Sequence, residues 1–236
     1  MKELLTFLIA LSLIFLTTDL SGQYKDLQPQ VLPPQNLEHF TFGYRLPMAD
    51  SLWLRVLQNS DFCESPNTEK AYNAGIELDE VLKYKMKPSR CHKGWVFSLM
   101  DKASDLDPRF RIVYSEGGTH LSIGVDDREG ARIILDKGVE QFPNDWTILY
   151  KASYHYLFEI QDKAKAAELM ARASKEPGSP PFLPSLAARL FTLNGQLDLG
   201  KQILIDYLKD NETGEGADRA RMRLKELEAK EASGTN

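Results

Sequence analysis

The chain has 236 residues, 42% of them hydrophobic and 27% charged, with a net charge of −5. That apolar fraction supports one good-sized core or two small ones and argues against global disorder. The acidic balance leaves no lysine and arginine sheath for a phosphate backbone, so nucleic acid is not expected as a partner.

Residues 1–22 read as a signal peptide or membrane anchor. Leu4–Thr18 (LLTFLIALSLIFLTT) carries no charge and shows almost no polar face, which argues for an export signal or anchor over a buried helix of the soluble fold. It is short of the roughly 20 residues of a full span. The following DLSGQ places Leu20 where a cleavage site wants a small residue. This favours a retained inner-membrane anchor through Leu4–Leu20, with the rest of the chain in the periplasm, or a periplasmic protein if the segment is cleaved. Residues 23–40, rich in Gln and Pro with a Pro33-Pro34 pair, read as an extended linker.

Residues 41–211 carry a repeated phrase. LDPRFRIVY (106–114) and FPNDWTILY (142–150) both run proline, aromatic, apolar pair, tyrosine. Phe110, Trp146 and Phe182 stand 36 residues apart, as do Tyr114, Tyr150 and Leu186. Downstream, Ala131, Leu135 and Gly138 match Ala166, Met170 and Ala173 at a displacement of 35, and Gly200, Leu204 and Tyr207 follow 34 further on. Ala131, Ile134, Leu135, Gly138 and Phe142 form one helical stripe. Each unit is therefore two helices, broken near 124–127, 160–162 and 194–198. Asp127, Asp162 and Asp198 are expected to cap second helices, and Asp107, before Pro108, a first helix. Two antiparallel helices of this length cannot each bury an apolar face alone, so the units are expected to stack. A period of 34–36 with two helices predicts an all-α, tetratricopeptide-like helical-repeat solenoid of three to four units. The second unit fits that pattern best, with Tyr150, Tyr154, Leu157, Ala166, Met170 and Ala173 at its usual packing positions. Small residues at Gly118, Ala131, Gly138, Ala166 and Ala173 fit close helix approach.

Residues 94–108 read as a second helix whose first helix is 46–58, displaced by an insertion at 64–90. Residues 212–236 read as a polar cap helix and tail, with Asp218–Arg221 and Glu226–Lys230 at helical pair spacing.

On the residues ADSLWLRVLQ (49–58), LDPRF (106–110), GARIILDKGVEQFPNDW (130–146) and AARL (187–190), the chain resembles a group of bacterial tetratricopeptide-like proteins that begin with one hydrophobic segment. The resemblance implies a helical solenoid and no established chemistry.

Cys63 and Cys91 flank the insertion and are the only cysteines. In an exported protein they are a candidate disulfide, worth about 3–4 kcal/mol by loop closure. A zinc site lacks the ligand set. No recognised nucleophile motif surrounds the four histidines, and no cofactor is expected. SEGGTH (115–120) follows no strand pattern, so its glycines fit close packing better than a phosphate cradle. In standard register, Lys151, His155 and Glu159 face inward beside Ser115, Thr119 and Ser122, a polar surface suited to binding another protein.

The expected function is thus a non-catalytic interaction scaffold of the cell envelope. One alternative is an envelope enzyme or small-ligand binder with a site near His155/Glu159 or at a buried Asp50/Arg55 pair. Another is a permanent subunit of an envelope assembly such as a pilus or secretion machine.

Overall fold

A computed structural model describes residues 32–60 and 89–232. The chain divides into units 1–32 and 33–236, and all described residues except Leu32 belong to the second. The hydrophobic segment 4–20, Cys63 and most of the expected insertion lie outside the described residues.

The described residues form helices and no strands. After a 3-10 turn at Leu37–Phe40, α1 spans Arg45–Gln58 and α2 spans Trp95–Leu106. Next comes α3, made of a π-helical turn Val113–Gly117, a short stretch Gly118–His120 and a second π-helical turn Leu121–Val125. α4 spans Arg128–Gln141. α5 runs Trp146–His155 and continues as a π-helical turn Tyr156–Ile160. α6 (Lys163–Lys175), α7 (Leu183–Leu193), α8 (Leu197–Asp210) and α9 (Glu215–Ala232) complete the chain. From α1 to α9, each helix packs on the next in sequence.

The repeated phrase marks the start of successive helices. Trp146 opens α5, Phe182 is the residue before α7, and Phe110 precedes the first turn of α3. The end of α3 is repeated 35 residues later at the end of α5. Asp126 (φ +57°) and Gln161 (φ +62°) adopt the left-handed conformation. The next amides, of Asp127 and Asp162, donate back to Leu121 O at 2.8 Å and Tyr156 O at 2.9 Å. Asp127 then caps α4 through Gly130 N (2.8 Å) and Asp162 caps α6 through Lys165 N (3.0 Å). This sequence of widened last turn, left-handed residue and aspartate cap closes one helix and starts the next within two residues.

Two expected caps differ. At the end of α7 the left-handed residue is Gly195 (φ +76°), and the residue before α8 is Gln196, with no side-chain cap. Asp198 falls two residues past the capping position, inside the first turn, where it pairs with Lys201 at 3.2 Å. Asp107 closes the C-terminus of α2 and accepts from Arg109 N at 3.0 Å, while Phe110 N donates to Asp107 O at 3.0 Å. That turn uses up Pro108, so α3 starts later. In the second copy of the phrase the capping oxygen belongs to Asp145, which accepts from Thr147 N and Ile148 N at 2.9 and 3.3 Å.

The core follows the small-residue positions. Ala131, Ala166 and Ala173 are fully buried. A Cβ on Gly118 would stand 2.7 Å from the Leu135 side chain, and one on Gly138 would stand 2.7 Å from Tyr114 Cβ. Close approach at Gly117 is similar, with Met100 Sδ at 2.9 Å, so the paired glycines serve packing. One apolar cluster joins α1, α2, α3 and α4 around Trp95, Leu99 and Tyr114. A second joins α5, α6 and α7 around Leu149, Leu169 and Leu190. A smaller one seats α9 through Ala220 and Leu227 against Ala188 and Leu204.

Candidate interaction surface

The six polar residues expected to form a binding face are drawn largely into the fold. Lys151 Nζ donates to Ser115 O at 3.1 Å and pairs with Glu116 at 2.7 Å, fastening α5 to α3. Thr119 Oγ1 donates to Ser115 O at 2.9 Å within α3. His155 is 2% exposed. Its Nε2 lies 3.0 Å from Arg128 O and its Nδ1 2.9 Å from Ser122 Oγ. Since a carbonyl only accepts, Nε2 carries the proton and Nδ1 accepts from the Ser122 hydroxyl. Burial pushes the imidazole down to about 4, which fits this neutral tautomer. Glu159 does not meet His155 as an acid–base couple. It accepts from Arg128 Nε at 2.7 Å, and Arg128 also reaches Asp126 at 3.0 Å. With both ring nitrogens engaged and solvent excluded, His155 acts as a strut between α3, α4 and α5.

Beside it lies a second, partly buried network. Glu129 is buried and accepts both Nε and Nη2 of Arg132 at 2.9 Å. Arg132 Nη1 reaches Asp136 at 2.8 Å, and the Tyr156 hydroxyl donates to Asp136 at 2.8 Å. Burial pushes both the Asp136 carboxyl and the Tyr156 phenol upward. Asp127 works at the same junction, with its second oxygen accepting from Gly94 N at 3.1 Å. One carboxylate thereby ties the start of α2 to the start of α4.

Asp50 and Arg55 are both exposed on α1, so the expected buried pair does not form. The geometry explains this, because five residues on a helix put the two on different faces, while Ala49, Leu52 and Val56 take the core side. Cys91 is fully buried and disulfide-bonded. Its amide donates to Asp126 O at 3.0 Å, and Arg90 N donates to Asp126 Oδ2 at 2.8 Å. The last residues of the expected insertion are thus pinned to the α3–α4 turn.

Alongside charged Glu116 and Arg189, apolar residues are left on the outside of the first helices. Ile123, Phe158 and Leu193 are 68%, 50% and 59% exposed. They stand 35 residues apart, one near the end of each of α3, α5 and α7. Tyr154, half exposed, lies against Phe158 with ring centroids 4.4 Å apart. Tyr154 holds a packing position in the repeat pattern, but the core side of α5 is filled by Ile148, Leu149 and Ala152, with Tyr156 just beyond. The 35-residue spacing of Ile123, Phe158 and Leu193 was readable in the sequence. Their outward direction was not, because it depends on which stripe each helix buries. Solvent-facing apolar side chains that recur in register are a feature of binding surfaces more than of plain solvated faces.

No known protein-family model and no curated protein matches the chain. Among the described residues, no helix is long and apolar enough to cross a membrane.

Proposed function

We propose that this chain is a non-catalytic protein–protein interaction scaffold of the bacterial cell envelope, built as a tetratricopeptide-like stack of helix pairs. Its partner binds across the outward faces of α3, α5 and α7. The observation that carries this reading is the apolar ladder Ile123, Phe158 and Leu193, exposed at equivalent places on three successive first helices. The turn at Asp126–Asp127, repeated at Gln161–Asp162, supports the stacking. In such a stack, equivalent residues of neighbouring units line one continuous strip. A strip of spaced apolar knobs suits an amphipathic helix or an extended apolar segment of another protein.

In this reading the hydrophobic segment Leu4–Leu20 holds the protein at the inner membrane, and the helical units work in the periplasm. A buried Cys91 in a disulfide is consistent with an oxidising compartment, where Cys63 is the proposed partner.

A photo-crosslinking residue placed at 158 or 123 tests the site in membranes. The expected result is one defined protein adduct from both positions and none from 168, an exposed place on α6. Equal labelling from all three positions would remove the ladder as the binding face.

A further inference from the structure

The strip continues into a feature of different chemistry. Between α7 and α9 lies an open groove of about 400 Å³. Phe182 and Leu186 on the α7 side and Met222 on α9 supply its apolar surface, and Met222 is 68% exposed. Arg189, Arg219 and Arg223 line the same groove against a single carboxylate, Glu226. In a chain of net charge −5, this is a local reversal of sign.

The arginines differ in how well they are satisfied. Arg219 pairs with Glu215, and Arg223 Nη1 reaches Glu226 at 2.7 Å. Arg223 Nε, however, is buried without a hydrogen-bond acceptor among the described residues. Arg189 is exposed and has no ion-pair partner among the described residues. It sits one turn from Leu193 on α7, at the position equivalent to Tyr154 on α5. The groove and the ladder therefore share a helix face. A guanidinium that lacks its own carboxylate, beside an unsatisfied Nε–H and an exposed methionine, has two unmet needs, an anion and an apolar cover.

We propose that this groove takes an acidic peptide segment of a partner protein, with a carboxylate side chain set against Arg189 and Arg223 and an aliphatic side chain laid on Met222, Phe182 and Leu186. This rests on the interaction reading above and deepens it by giving the partner a chemistry. A helical segment that alternates Glu with Leu on one face satisfies both needs, because residues three and four apart fall side by side.

The probe is a fluorescein-labelled amphipathic peptide with Leu on one face and Glu flanking it, compared with versions carrying Gln for Glu or Ser for Leu. Binding to the full-length protein is read by fluorescence anisotropy. The Glu/Leu peptide is expected to bind at least about tenfold more tightly than either control, and to weaken steeply as salt rises past about 0.1 M. Arg189→Glu should weaken it by about tenfold or more, with Arg223→Gln acting in the same direction. Arg189 is exposed, so its variant keeps the fold, as circular dichroism and thermal melting verify. Phe158→Ser is measured in parallel. Loss with Phe158→Ser but not with the arginine variants would overturn the groove and leave the ladder. Loss with the arginine variants alone would establish the groove as the peptide's site, while the ladder stands or falls by the crosslinking at 158 and 123. Equal binding of the Gln peptide, equal binding of the Ser peptide, or no binding of the Glu/Leu peptide would each overturn the proposal.

Discussion

The junction of α3, α4 and α5 and the junction of α7, α8 and α9 are built from similar helix pairs but held differently. At the first, most polar groups pair with one another, although Glu116 stays exposed and the buried Ser115 Oγ finds no hydrogen-bond partner among the described residues. Ser122 with His155, Lys151 with Ser115 and Glu116, Arg128 with Glu159, and Arg132 with Glu129 and Asp136 all bridge neighbouring turns or helices. At the second, the buried positions of α7 follow those of α5 at a displacement of 35 rather than 36, so Leu190 stands where α5 has His155, and Leu186 falls at Lys151 rather than at Tyr150. Packing there is by Ala188, Leu204, Ala220 and Leu227, and the arginines line the surface groove. Polar groups enclosed in a core are costly to disturb, because each partner left behind keeps its desolvation penalty. Surface arginines are cheap to change and free to meet another molecule. The first junction is therefore where stability is vulnerable, and the second is where charge can serve binding.

The sharpest way to break this contrast is Arg132→Ala. It strands buried Glu129 and removes a partner of Asp136, and is expected to cost about 3–5 kcal/mol. Arg219→Ala, at the other junction, should change stability by about 0.5 kcal/mol or less. Urea melts of the two variants check the difference, and equal losses would mean that the inner network contributes no more than a surface pair.

Acid comes next in size. Burial holds the His155 imidazole at about 4 in the folded chain against 6.5 ordinarily. As pH falls, the unfolded chain takes up this proton first. The associated stability is complete above about 6.5 and is lost on the way down to about 4, amounting to about 3 kcal/mol in all. His155→Gln, with no titrating group, should lack this component. The carboxylates act on both proteins, so the measurement is the difference between the two curves of stability against pH. Parallel curves between pH 6.5 and 4 would show that the imidazole is not enclosed.

Ala166→Leu probes packing directly. Ala166 is fully buried, and its carbonyl accepts from Ser153 Oγ at 2.7 Å. Overpacking there should cost about 1–3 kcal/mol. Lys165→Leu, one residue away with its side chain 39% exposed, should cost far less. Hydrogen exchange in Ala166→Leu should rise in residues 145–210 before 95–125, since damage passes first to neighbouring helices. Uniform loosening would contradict a unit-by-unit stack. Phe158→Ser, like Arg219→Ala, should change stability by about 0.5 kcal/mol or less, as expected for a half-exposed side chain. A large drop in melting temperature would make Phe158 a packing residue and weaken the ladder as a binding face.

Helix positions were legible because periodicity is local. The stripe Ala131, Ile134, Leu135 and Gly138 is the buried face of α4, and the breaks at 124–127, 160–162 and 194–198 are the turns observed. Aspartate caps at 127 and 162 could be read for the same reason, since a cap reaches only two or three residues. Asp198 and Asp107 escaped this reading because their turns consume a different number of residues, which backbone conformation alone decides. The fate of the polar candidates was hidden for a stronger reason. Ser122, Arg128, Glu159 and His155 meet across three helices, and nothing in a single helix's pattern tells a polar side chain whether water or another helix will satisfy it.

The sequence by itself thus determined the helical class, the approximate 35-residue period and the small residues at close contacts, all set by short-range geometry. Only the tertiary structure decided which polar groups were enclosed, that Arg189 found no ion-pair partner among the described residues, and that Ile123, Phe158 and Leu193 turned outward. These depend on the rotation of each helix against its neighbours, and that rotation is fixed by packing of the whole core.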